Sequence, residues 1–264
     1  MSQTSDTGVS GATRPGQGSG ERPVAVVTGG SAGIGAATTR RLVAEGFDAV
    51  IGARRVDRLD ELAAELKPHV APLPLDVTDA SSIAAFAGAV ERAEVVVCNA
   101  GGALGMDTIL DGDDDQWRQM WEANVLGVAR TVRAFHRHLV ASGNGRVVVV
   151  TSVAGHQTYP NGGGYTSAKH AAAAVVDTLR VELLGEPVRI IEVAPGMVDT
   201  EFATVRFGGD AERAAGVYAG LTPLSAEDVA DAIAWAVTRP PHVTVARLDL
   251  FPRDQASARD AHRR

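Results

Sequence analysis

The chain has 264 residues, 45% of them hydrophobic, and 25 Lys+Arg against 32 Asp+Glu give a formal net charge of −7. That length suits one large domain or two small ones with a sizeable core, and the acidic balance argues against an electrostatic nucleic-acid binder. No apolar run approaches the ~18 residues of a membrane span, and the single cysteine, Cys98, cannot close an internal disulfide, so nothing here depends on an oxidising compartment.

Met1–Arg22 is rich in Ser, Thr and Gly and offers only Met1, Val9 and Ala12 as apolar residues. It lacks a signal peptide's apolar stretch and cannot bury enough surface to offset its ordering entropy. It is expected to be a disordered tail on a soluble, cytoplasmic protein. From Pro23 onward, short β-branched runs appear at Val24–Thr28, Ala49–Ala53, Val70–Leu75, Val95–Cys98, Val147–Thr151, Ile190–Ala194 and Val243–Leu250. Helical patterns separate most of them, at Gly35–Glu45, Asp57–Lys67, Asp79–Arg92, Asp114–Val140, Tyr165–Leu184 and Ser225–Val237. Nearly all-apolar strands alternating with helices predict a single α/β domain over 23–252, its parallel sheet covered on both faces. Pro195–Leu224 shows no clear period and holds Gly196, Gly208, Gly209, Gly216 and Gly220. It reads as a lid or binding loop, or else as a mobile surface excursion. Residues 253–264 read as a polar end, frayed at Arg259–Arg264.

The first strand runs into Gly29-Gly-Ser-Ala-Gly33-Ile-Gly35, which opens a helix. Glycines there let the backbone turn tightly and approach a pyrophosphate, whose charge suits a helix N-terminus; a Gly-rich turn can also be mere geometry. The second strand ends in Arg54-Arg55. Arginine at that strand end accommodates a ribose 2′-phosphate, which favours NADP(H) over NAD(H), although paired arginines after a strand are also at home in solvent. Asp57, the only nearby acid, reads as the cap of the next helix. Asp76 follows the third strand and Asn99-Ala100-Gly101 the fourth, at the carboxyl ends where open α/β sheets bind ligands. Asp76 could equally cap a helix start and Asn99 serve as a turn residue.

Tyr165 and Lys169 stand four apart on one predicted helix face. Lys67 and Lys169 are the only lysines and the chain has three tyrosines, so this pairing is not background. Free tyrosine is a poor base at neutral pH, and a cation beside it favours the phenolate. Ser152, at the carboxyl end of its strand, can hydrogen-bond a substrate carbonyl oxygen and stabilise its developing charge. Asn124 sits inside a helical pattern where Asn has poor propensity, which hints at a functional amide or a surface residue. Asp111–Asp115 reads as a helix-start charge cluster, Trp117 and Trp121 as packing or subunit-contact residues, and no metal-ligand spacing occurs.

Taken together, Thr28-Gly-xxx-Gly-Ile-Gly35, Asp76, Asn99-Ala-Gly101, Asn124, Ser152, Tyr165-xxx-Lys169 and Pro195-Gly196 resemble the short-chain dehydrogenase/reductase family in order and spacing. The resemblance implies a seven-stranded Rossmann-type sheet with NAD(P)(H) at its switch point. It places cofactor contacts at Gly29, Ser31, Gly33, Ile34 and Gly35, and at Arg54 and Arg55. Further contacts fall at Asp76 and Val77, at Asn99, Ala100 and Gly101, at Tyr165 and Lys169, and at Pro195, Gly196, Val198 and Thr200. Tyr165 would be the acid/base. Lys169 would hold the nicotinamide ribose and lower the tyrosine pKa, Ser152 would orient the carbonyl, and Asn124 would support a water-mediated proton relay. The family's usual Asn before Asn99 is here Cys98, and the helix before the fourth strand looks short. The resemblance further implies a homotetramer or homodimer.

A narrower resemblance, carried by Thr200-Glu-Phe-Ala-Thr-Val-Arg206-Phe-Gly-Gly-Asp210 and by segments beginning at Leu224 and Pro240, is to the NADP-dependent 3-hydroxy acid (serine/allo-threonine) dehydrogenases. Arg206, the only cation between Arg189 and Arg213, could then grip a substrate carboxylate; it could equally be a surface residue or touch the cofactor phosphates. The expected function is hydride transfer between NADP(H) and a secondary alcohol/carbonyl pair. A general carbonyl reductase is the alternative, and a non-catalytic dinucleotide sensor would not need Ser152, Tyr165 and Lys169 together.

Overall fold

The computed structural model describes residues 21–264. Seven strands form one parallel sheet in the order β3-β2-β1-β4-β5-β6-β7. They are β1 (Val24–Thr28), β2 (Asp48–Ala53), β3 (Val70–Pro74), β4 (Val95–Cys98), β5 (Gly145–Val150), β6 (Val188–Pro195) and β7 (Arg247–Leu250). Apolar side chains on both sides of the pleat give β1, β4, β5 and β6 two buried faces, while β3 and β7 at the sheet edges are partly exposed. Ala25, Val27, Val148 and Val150 point into one core, against α1 (Gly33–Ala44), α2 (Val56–Glu65) and α9 (Ala226–Val237). Val26, Val147 and Val149 point into the other, against α3 (Ala80–Gly88), α5 (Gly127–Ala141) and α6 (Gly163–Glu182). Phe135 of α5 is fully buried in that second core and meets Phe86 edge-on, ring centroids 5.9 Å apart. Cys98 closes β4 as a buried thiol, pushed up to about 12 by burial.

The expected helix over Asp114–Val140 is interrupted. α4 (Asp114–Trp121) passes through a π-helical turn, Glu122–Leu126, into α5. Asp113 caps α4 by accepting from the amides of Asp115 and Gln116. Pro195–Leu224 is not the aperiodic loop expected, for it contains α7 (Phe202–Arg206) and α8 (Ala211–Tyr218). β7 begins four residues later than expected, because Val243 turns back to the Pro240 carbonyl. Asp57 does not cap α2; it lies within the helix's first turn.

The ends also differ from expectation. The tail expected at Met1–Arg22 lies outside the described residues up to position 20. Arg22 is docked: its guanidinium donates to the Val43 and Phe47 carbonyls at 2.6 and 2.8 Å and pairs with Asp48. The C-terminal segment is held rather than frayed. Gln255, only 6% exposed, accepts from the Met197 amide at 2.8 Å. Arg263 donates to the Ala219 and Val217 carbonyls, and the Arg264 amide bonds to Gly220.

Candidate active site

The strand order reverses between β1 and β4, and the carboxyl ends of the strands beside this point open into a cleft of about 1160 Å³. An open α/β sheet binds ligands at such a crevice. Every residue expected in the site lines this cleft except Gly35 and Asn124, which stand just behind it.

At one end the cradle is made of backbone. Gly29 and Gly33 have φ of +69° and +50°, which favours residues without a Cβ. A Cβ on Gly35 would lie 2.2 Å from the Gly29 carbonyl oxygen, so only glycine lets the first turn of α1 close on the strand end. The Thr28 hydroxyl accepts from the amides of both Asn99 and Ala100 at 3.0 Å. Asn99 returns its side-chain amide to the Thr28 and Gly29 carbonyls. The two loops are thereby stitched together beside the N-terminus of α1, where Ser31 and Ile34 line the floor. Asp76 accepts from the amide and hydroxyl of Thr78 at 2.9 and 2.7 Å; the cap of α3 is Asp79 instead. Val77 packs beside Gly127. Arg54 and Arg55 are exposed at the rim, and Arg55 reaches Glu201 at 2.8 Å and Ser31 at 3.4 Å. Arg58 binds the same Glu201 carboxylate at 2.5 Å, holding it well below the usual carboxylate range. The sequence gives no signal of the Glu201 bridge, because its partners lie more than 140 positions away.

At the other end four polar side chains meet. Ser152 donates to the Pro195 carbonyl at 3.3 Å and accepts from the Ala154 amide. Tyr165 is 8% exposed. Lys169, one turn further along α6, is 7% exposed and donates to the Val150 carbonyl at 3.1 Å. Its Nζ lies 5.7 Å from the Tyr165 ring centroid. Asn124, in the π turn, donates to the carbonyls of Gly102 and Met120 at 2.9 and 2.8 Å and accepts from the Gly102 amide. It therefore clamps the loop after β4.

The expectation that Lys169 lowers the tyrosine pKa is not met. Burial holds the Tyr165 phenol well above its ordinary value, and nearby Tyr159 adds to this; a hydrogen bond with Ser152 and the Arg206 charge pull the other way. Burial draws the Lys169 ammonium down to about 8. The phenol is thus protonated at neutral pH, the form that donates.

The segment after β6 covers this end. Gly196 bonds to the Leu250 carbonyl at 2.7 Å, Val198 bridges to Leu224, and Thr200 rests on Gly33. Phe202 meets the Tyr165 ring edge-on at 5.6 Å. Arg206 donates to the Gly105 carbonyl at 2.9 Å and the Tyr159 hydroxyl at 3.0 Å, and its own carbonyl accepts from the Gly105 amide. Its guanidinium carbon lies 5.6 Å from the Tyr165 ring centroid. Arg206 is therefore neither a surface residue nor at the phosphate end of the cleft.

The short chain dehydrogenase family profile matches residues 23–209. The chain belongs to this family. Short-chain dehydrogenases are oxidoreductases acting on CH–OH groups. This short-chain dehydrogenase is 52% identical over 235 residues to an uncharacterized oxidoreductase of Mycobacterium tuberculosis, covering 89% of this chain and 93% of that one. It is 36% identical to the NADP-dependent 3-hydroxy acid dehydrogenase of Schizosaccharomyces pombe, with 90% and 96% covered. Its fold matches the closed form of a serine dehydrogenase complexed with NADP+ at a TM-score of 0.87 and 32% identity, covering 91% of this chain and all of that one.

Proposed function

We propose that this dehydrogenase transfers hydride between NADP(H) and a secondary alcohol/carbonyl pair borne by a small 3-hydroxy acid such as serine. The observation that carries the reading is the position of Arg206, its guanidinium carbon 5.6 Å from the Tyr165 ring, at the mouth of a cleft whose far end is a glycine cradle. The names of the Schizosaccharomyces relative and of the serine dehydrogenase agree with it.

The cradle fits a dinucleotide. The Gly29–Gly35 turn and the N-terminus of α1 suit a pyrophosphate. Asp76 and Val77, with Asn99, Ala100 and Gly101, line the wall between adenosine and nicotinamide sides, and Pro195, Gly196, Val198 and Thr200 line the opposite one. Arg54 and Arg55 suit a 2′-phosphate. When bound, the nicotinamide supplies or accepts the hydride. Tyr165 gives its phenolic proton to the carbonyl oxygen in reduction and takes it back in oxidation. The Ser152 hydroxyl steadies that oxygen. Lys169 is the buried cation on the tyrosine side, and Asn124 keeps the Gly101–Gly102 loop in register with it. Arg206 grips the substrate carboxylate through parallel hydrogen bonds, turning the hydroxyl-bearing carbon toward Tyr165.

The apolar wall of Leu104, Met106 and Phe202 beside Arg206 supports a second reading, a general carbonyl reductase. Exposed Trp121, Val181 and Leu184 support a homo-oligomer. The deciding experiment measures NADP+ reduction with 3-hydroxy acids, and NADPH oxidation with neutral ketones and aldehydes. Efficient turnover of neutral carbonyls with no activity on the acids would overturn the hydroxy-acid reading and leave the reductase standing.

A further inference from the structure

β6 carries a carboxylate, Glu192, between Ile191 and Val193, and its side chain is only 2% exposed. Burying a charge is expensive unless it is paired and hydrogen-bonded. Oε1 of Glu192 accepts from the Thr151 hydroxyl at 2.6 Å and lies 2.7 Å from His156 Nε2. His156 Nδ1 lies 3.3 Å from Arg247 Nη1, and Arg247 pairs with Asp249 at 3.1 Å. Arg247 can only donate, so this contact suits a His156 that accepts at Nδ1 and donates from Nε2 to the carboxylate. Glu192 is thus the inner end of a polar chain that reaches the surface at the edge strand β7.

Across the end of β5 lies a buried cation. The Lys169 ammonium rests on the Val150 carbonyl, and the peptide of that carbonyl leads directly into Thr151, whose hydroxyl holds Glu192. Ammonium and carboxylate therefore flank one peptide unit. Among the described residues, the ionisable and polar groups facing Glu192 are Thr151 just after β5, His156 from the turn that follows, Arg247 with Asp249 from β7, and Lys169 from α6. Asp177 and Arg180, further along α6, are paired with each other at 2.6 Å.

We infer that Glu192 is a positioning residue of the active site, its carboxylate, fixed by Thr151 and His156, supplying the countercharge that keeps Lys169 protonated on the Val150 carbonyl. The inference rests on the proposed role of Lys169 as the cation beside Tyr165. Burial alone would drive the ammonium toward its neutral form, and the Glu192 charge opposes this. Without it, Lys169 loses its proton nearer neutral pH, and the alkaline limit of activity moves to lower pH.

Two lysines in the whole chain allow a direct test. The full-length protein is labelled with [13Cε]lysine and titrated by NMR, with Lys67→Arg identifying the Lys169 resonance. Glu192→Gln, which preserves an acceptor for Thr151, should lower the Lys169 midpoint by about one pH unit, a tenfold change in protonation. Glu192→Asp, a carboxylate one methylene further back, should fall between the two. A Gln variant with the wild-type midpoint overturns the inference. If the Gln variant does not fold, the Asp variant decides, and an unchanged midpoint there overturns it equally. The pH profile of kcat/KM with saturating NADPH separates this from the reading beneath it. A Lys169 resonance that moves while the alkaline limb of turnover stays still would remove Lys169 from the chemistry, leaving the Glu192 pairing intact.

Discussion

Replacing Arg206 by alanine removes two things at once, and they are separable by choice of substrate. The guanidinium ties α7 to the loop after β4 through the Gly105 carbonyl and to Tyr159 through its hydroxyl. Those two bonds are half-buried, so their loss should cost about 1–2 kcal/mol of closed geometry, roughly 5–30-fold in kcat/KM for any substrate. The backbone bond from Gly105 to the Arg206 carbonyl survives the substitution, which limits this common loss. A carboxylate that pairs with Arg206 loses a further ~2–3 kcal/mol, on the order of 10²-fold. The assay compares Arg206→Ala with wild type on a 3-hydroxy acid and on its uncharged ester. Arg206→Lys should recover charge but not the paired geometry, and so restore only part of the acid-specific loss. Equal losses on acid and ester would refute the reasoning and leave Arg206 as a fastening of α7 alone.

Tyr165→Phe should lower turnover by ~10²-fold or more while cofactor binding, followed by fluorescence quenching, persists; near-normal turnover in a folded variant would remove the phenol from the mechanism. Replacing Arg54 and Arg55 by alanine should raise the KM for NADPH by ~10²-fold and change that for NADH only a few-fold, with Arg58 left to hold Glu201. A wild type that already prefers NADH would contradict the assignment. Gln255→Ala strips the Met197 amide of its acceptor and should cost ~1–3 kcal/mol, read as a fall of several degrees in Tm. An unchanged Tm would show that water replaces the side chain freely.

What the sequence made legible is what repeats or what geometry forces. β1 and β4 announce themselves as β-branched runs of the observed length, and Gly35 is required by a close approach that no other residue permits. The pairing of Tyr165 with Lys169 needed only helical spacing. Asn124 stood out as a poor helix former, and the π turn is the local irregularity that it occupies. α7 and α8 stayed hidden because helices of five and eight residues, separated by Gly208 and Gly209, are too short to show a period. The Glu201 bridge, the Gln255 clamp and the Glu192–His156 pair join residues far apart in the chain, and one-dimensional patterns do not encode such contacts. Glu192 carried a readable flag all the same: an acid inside a strand covered on both faces needs a partner. The tyrosine pKa went astray for a related reason, since desolvation depends on how tightly Phe202 and its neighbours close over the ring.

The lone thiol gives this molecule an internal clock for its own opening. Cys98 lies in the central strand β4, its thiol protonated across the neutral range and buried in the core beneath α3 and α5, so an alkylating reagent must wait for those helices to separate from the sheet. Its labelling rate under native conditions therefore reads the free energy of that separation, with no background from a second cysteine. The next residue, Asn99, belongs to the cradle. A dinucleotide that grips the closed state should slow the labelling in proportion to its occupancy, and the affinity of the cradle becomes measurable without any substrate.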